Sequence, residues 1–120
     1  MKSLLGFDGS QASVDALERT ADRAVAAGDN LTVALTETEG TSQAELAEHA
    51  GQIIDDTNLE VDLREVDGDP ASQLVALAES KDFDQLVLGS NTTSPMGKIT
   101  LDKTDEFVLL NSHVTVTLVR

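Results

Sequence analysis

Apolar residues recur along this chain in two alternating periods. Lys2-Ser3-Leu4-Leu5-Gly6-Phe7 is a short apolar run of strand length that ends at the turn-forming Asp8-Gly9-Ser10. Val14, Leu17, Ala21, Ala24 and Val25 then fall at three- and four-residue spacing. This predicts a helix with one buried stripe, for which Gly28 is a stop. Residues 31–35 read as a second strand. Ser42, with Glu45 three residues on, is a capping box, and Leu46, Ala50, Ile53 and Ile54 line one face of the helix it opens. Residues 59–66 alternate apolar and acidic positions, as a half-exposed edge strand does. Asp69-Pro70 starts a third helix, because the carboxylate caps and proline suits the first turn. Ala71, Leu74, Val75 and Ala78 are its inner stripe. Residues 84–89 predict a fourth strand, 90–98 a polar loop, 101–110 a helix and 114–119 a fifth strand.

The resulting order, βαβαβαβαβ, implies a parallel sheet with right-handed crossovers and helices on both faces. No linker, repeat or low-complexity tract interrupts it, so residues 1–120 are expected to form a single α/β domain. Ligands of such sheets bind beyond the carboxyl ends of the strands, where strand order reverses. The first and fourth strands both end in glycine-containing loops, Asp8-Gly9-Ser10 and Gly89-Ser90-Asn91. A small-molecule site is therefore expected at the loop after Gly89.

Charge narrows the choice of partner. Eight basic against 22 acidic residues give a net charge of −14, whose field repels nucleic-acid phosphates and anionic lipid. Three Phe and no Trp or Tyr leave no platform for base stacking. Neither nucleic acid nor membrane is an expected partner. Dense carboxylates fit a halophilic protein, whose surface charge counter-ions screen in a salt-rich cytoplasm. The absence of cysteine excludes disulfides and thiolate metal sites, and no apolar run reaches membrane-span length. The N-terminal apolar run is also too short for a signal peptide, so the expected location is cytoplasmic.

The common catalytic and phosphate-binding patterns fit poorly. Gly6-Phe7-Asp8-Gly9 lacks the third glycine of a dinucleotide fingerprint. Gly97-Lys98 resembles the end of a P-loop, but Thr92 replaces the earlier glycine and Ile99 the hydroxyl residue. A phospho-acceptor domain of the response-regulator type would need an acidic pair at the first strand, which is missing. His49 lies inside the second helix and His113 opens the last strand, neither with a Ser/Asp arrangement for nucleophilic catalysis. Asp55-Asp56 and Asp67/Asp69 read as solvated acids, and no metal site is expected.

One ordered set of motifs is more specific. Leu86-Val87-Leu88-Gly89-Ser90 is followed by Ser94-Pro95-Met96-Gly97-Lys98, a helix and a final Val-Thr-Leu-Val strand ending at Val119. Together with Phe7-Asp8-Gly9-Ser10 and Gly68-Asp69-Pro70-Ala71, this resembles the universal stress protein (UspA-like) family. The resemblance covers nearly the whole chain. It implies a Rossmann-like three-layer fold with a five-stranded parallel sheet of order 3-2-1-4-5. It also implies a homodimer through the fifth strand, placing Val114, Val116 and Leu118 at the seam. That strand is expected to be an edge, which invites pairing with another chain.

One branch of that family binds ATP through Gly-x2-Gly-x9-Gly-Ser/Thr. Here Gly89 matches the first glycine, but Thr92 replaces the second, and Asp102 and Lys103 replace the last pair. Glycine lets backbone approach phosphate closely, and a helix start attracts anions through its free N–H groups and dipole. A carboxylate at Asp102 would cap those N–H groups and repel phosphate, by about 4 kcal/mol per charge pair at ~4 Å and an effective dielectric near 20 before screening. Lys98 and Lys103 could offset part of this. Asp8 matches the family's nucleoside contact and also suits an ordinary cap of the first loop. The degenerate nucleotide site thus comprises Asp8, Gly89, Ser90, Thr92, Lys98, Asp102 and Lys103. The expectation is a non-catalytic stress-response module, not an enzyme. ATP binding would be weak or absent and no cofactor required. The alternative is a sensor of ATP or AMP built on the same loops.

Overall fold

The computed structural model describes residues 1–38, 40–89 and 103–119. Among them, five strands and four helices alternate: β1 (Lys2–Phe7), α1 (Gln11–Ala27), β2 (Asn30–Thr36), α2 (Gln43–Asp55), β3 (Val61–Val66), α3 (Pro70–Ser80), β4 (Gln85–Gly89), α4 (Lys103–Asn111) and β5 (Thr115–Val119). The sheet has the order β3-β2-β1-β4-β5, with every neighbouring pair parallel. This is the Rossmann-like α/β architecture that the motifs imply.

Local chemistry sets the helix ends. The Ser10 hydroxyl accepts from the Ser13 N–H at 3.2 Å and caps α1, and Gly28, at φ +71°, closes it in the left-handed conformation. Ser42 caps α2 by accepting from the Glu45 N–H at 3.2 Å. Its hydroxyl also donates to the Glu45 carboxylate, so the reciprocal bond closes between side chains. Asp69 caps α3, accepting from the Ser72 N–H at 3.1 Å and the Ser72 hydroxyl at 2.7 Å, with Pro70 in the first turn. The Ser72 hydroxyl first, and its N–H second, hold the Asp69 carboxyl below the ordinary carboxylate range.

The parallel register stacks alternate residues into two cores, one on each face. Leu5 lies opposite Val33 and Val87, and these join Phe7, Leu31 and Leu35 beneath Ala16 and Leu17 of α1 and Leu46 and Ala50 of α2. Leu4 lies opposite Leu86, and these join Ala34 and Leu88 beneath Leu74 and Ala78 of α3 and Val108 of α4. Burying one such leucine contributes roughly 1.5–3 kcal/mol. Two stacked cores account for a three-layer fold without staples. No helix among the described residues is long and apolar enough to cross a membrane.

Several boundaries and faces differ from the sequence expectation. The edge strand begins at Val61 rather than residue 59, and four of its six residues are exposed. Val66 at its end is buried and Val61 at its start partly so. Val25, placed by spacing in the buried stripe of α1, is 51% exposed, because it lies 100° around the helix from inward-facing Ala24. The last helix is described from Lys103 to Asn111, and Leu101 and Asp102 lie outside the described residues. The fifth strand begins at Thr115, one residue later than expected.

Candidate functional site

The sheet order reverses between β1 and β4, so the crevice belongs at their carboxyl ends. A cavity of about 100 Å³ lies there. Gly6 and Asp8 line it from β1 and the turn beyond, and Leu88 and Gly89 from β4. Thr36 and Thr38 reach it from the end of β2. The first turns of three helices complete it: Ser13 of α1, Pro70 of α3, and Thr104 and Asp105 of α4.

This convergence explains the chemistry of the wall. Each helix start carries about half a positive charge and free N–H groups. The sequence supplies a polar or acidic residue at each: Ser10 at α1, Asp69 at α3, and Asp105 and Glu106 in the first turn of α4. Asp8 adds a further carboxylate, whose Oδ1 accepts from the Ser10 N–H at 2.9 Å and braces the turn into α1. The Ser13 hydroxyl donates to the Ser10 carbonyl at 2.9 Å, and the Thr36 hydroxyl to the Phe7 carbonyl at 3.3 Å. Among its described residues the wall thus carries two acidic side chains, Asp8 and Asp105, and four hydroxyls, beside Pro70, Leu74 and Leu88. None of its described residues is Lys, Arg or His. The volume is about a third of the roughly 300 Å³ at which small-molecule sites usually begin.

The structure brings Asp8 and Gly89 together in this wall. Lys103 is the exposed first residue of α4 and does not line it. Ser90, Thr92, Lys98 and Asp102 lie outside the described residues. Val116 and Leu118 of β5, and Val114 just before it, are partly buried and pack against the core that α3 and α4 cover. Among the described residues β4 is the one strand beside β5, so β5 presents its other backbone edge outward.

Gly89 has a structural reason of its own. A Cβ there would stand 2.2 Å from the Ala12 carbonyl oxygen and 2.7 Å from the Ser13 nitrogen. The first turn of α1 thus presses directly on the end of β4 and excludes every other residue. Sequence reasoning missed Asp105, which is only 3% exposed. The available signal was its position three residues before Val108, on the same helix face. Ser13, Thr36, Thr38 and Thr104 carried no motif and follow only from topology. Among the described residues no group of three or more His, Asp, Glu or Cys is placed to hold a metal ion.

Fold and site together define a Rossmann-like domain with a polar crevice at the β1/β4 switch point. The chain belongs to the universal stress protein family, whose sequence profile matches residues 1–120. A comparison with curated proteins gives no significant match. Among solved structures, the chain is similar to a universal stress protein in complex with cAMP, at TM-score 0.76 and 23% identity, covering 100% of this chain and 96% of that one. It is also similar to UspA from Lactobacillus plantarum, at TM-score 0.73 and 20% identity, covering 100% and 97%. A universal stress protein from Archaeoglobus fulgidus in complex with dAMP aligns at TM-score 0.69 and 19% identity, covering 100% and 98%.

Proposed function

We propose that this chain is a non-catalytic regulatory module of the universal stress type, dimeric, with ATP binding weak or absent. The observation that carries this reading is the wall of the crevice. Asp8 and Asp105 line a space of about 100 Å³ with no cationic side chain among the described residues. A triphosphate brought there meets the Asp8 carboxylate, which already accepts from the Ser10 N–H at the helix start that would otherwise attract it. The motif departures at Thr92, Asp102 and Lys103 act in the same direction. Each carboxylate–phosphate contact costs up to about 4 kcal/mol before screening, or roughly a thousandfold in affinity. The acidic surface fits a salt-rich cytoplasm as the working environment.

A second reading, a sensor of adenine mononucleotides, draws on the relatives crystallised with cAMP and dAMP. These ligands carry one phosphate, so an acidic wall opposes them less. Asp8 would then contact the nucleoside and the backbone at Gly89 the phosphate.

Calorimetry at molar salt with Mg-ATP, AMP and cAMP separates the two. The proposal expects no ATP binding tighter than millimolar. Tight Mg-ATP binding would overturn it, and selective AMP or cAMP binding would establish the sensor. Asp102→Gly combined with Lys103→Ser is expected to raise nucleotide affinity by about tenfold, as removal of one repulsive contact allows after screening.

A further inference from the structure

Residues 107–119 contain no Asp, Glu, Lys or Arg, in a chain with 22 acidic and 8 basic residues. This run comprises the second half of α4 and all of β5. It also holds the most exposed large apolar side chain described, Leu110, at 76%. Phe107, three residues earlier on α4, is 38% exposed. The inner side of α4 carries Asp105 and Val108, so Phe107 and Leu110 share its outer side. Among the described residues, an uncharged strand edge with no neighbouring strand and an apolar helix stripe thus belong to one continuous piece of chain.

The occupant that fits this surface is a second copy of the chain. A basic partner would be drawn to the carboxylate-bearing faces and would gain nothing from a neutral one. A second copy, itself at −14, is repelled by those faces and can approach closely only where both copies lack charge. A free strand edge is also self-complementary about a two-fold axis.

The long-range repulsion nevertheless persists at such a contact, and its reach depends on salt. The molecule measures 39 × 29 × 28 Å. The screening length is about 30 Å at 0.01 M salt, which spans the molecule, and about 3 Å at 1 M, which reaches only adjacent atoms. We infer that ionic strength decides whether two copies pair along β5 and the Phe107/Leu110 stripe of α4, making assembly of this module a response to electrolyte concentration. The inference rests on the dimeric reading above and adds its second surface and its control.

Sedimentation equilibrium on the full chain tests it, between about 0.05 M and 2 M potassium chloride. Circular dichroism fixes the lowest salt that preserves the native spectrum, and the comparison runs upward from there. The dissociation constant is expected to fall by about tenfold or more as salt rises. Leu110→Glu is expected to weaken pairing most at the low-salt end. Leu110→Gln, which adds no charge, should weaken it equally throughout. A dimer indifferent to salt, or to both Leu110 variants, overturns the inference and leaves the dimer standing. A native chain that stays monomeric at every salt removes both.

Discussion

The two edges of the sheet are built from opposite chemistry. β3 has the sequence Val-Asp-Leu-Arg-Glu-Val and exposes Asp62, Arg64 and Glu65, with Asp62 and Arg64 3.0 Å apart. β5 has the sequence Thr-Val-Thr-Leu-Val and no charge. A row of charges on an edge strand obstructs another strand, because pairing would desolvate those charges. Surface ion pairs such as Asp62–Arg64 contribute little to stability, about 0–1 kcal/mol, so stability is a weak reason for the charges of β3. Keeping that edge unpaired is the stronger reason. By the same reasoning an uncharged β5 is the edge that the proposed pairing would use.

Transferring the charge pattern breaks this contrast most directly. Thr115→Lys places a charge on the exposed start of β5 without disturbing the bond from Thr117 to Gln85. It is expected to weaken pairing by tenfold or more, as for a buried unpaired charge, and to leave a monomer in sedimentation. The converse triple change, Asp62→Thr, Arg64→Thr and Glu65→Thr, should open the second edge. Light scattering should then show species larger than a dimer, because two open edges can propagate. If the triple variant stays at the parent's mass, charge is not what protects β3.

A smaller effect distinguishes the two sides by pH. Asp69 follows β3 and caps α3, and its carboxyl titrates below the ordinary range because Ser72 donates twice to it. Its folded pKa is therefore below its unfolded value, near 3.9. The cap stabilises fully above that unfolded value and is lost as pH falls through the lower, folded one. The Ser72 amide resonance should move in that acid window, while the amides of β5 should not follow Asp69. Asp69→Asn keeps a capping oxygen and should abolish the movement.

The alternation of strand and helix was legible because each element carries its own period and its own stop, such as Gly28 or Asp69-Pro70. Once the order βαβαβαβαβ is known, handedness and the switch point follow with little freedom. The face of α4 was not legible. Leu109, Leu110 and Phe107 look like core, yet they are 40%, 76% and 38% exposed, whereas Asp105 is buried. Hydrophobicity alone cannot identify the inner side of a short helix whose first turn closes a polar crevice. Asp102 attracted attention through motif spacing, while Asp105 lies in the described wall. Gly89 illustrates the same limit: a motif glycine suggested room for phosphate, but contact with Ala12 is sufficient to require it.

That contact also makes α1 a wedge that sets the width of the crevice. The Ala12 carbonyl rests where any side chain at residue 89 would go, so β4 and the start of α1 cannot be adjusted separately. Asp8, Ser10 and Ser13 are tied to the same turn by hydrogen bonds. A displacement of the first turn of α1 would therefore move the floor, one carboxylate and one hydroxyl of the crevice together. Variation in this protein would be expected to change what the crevice admits by shifting a helix, with its wall residues unaltered.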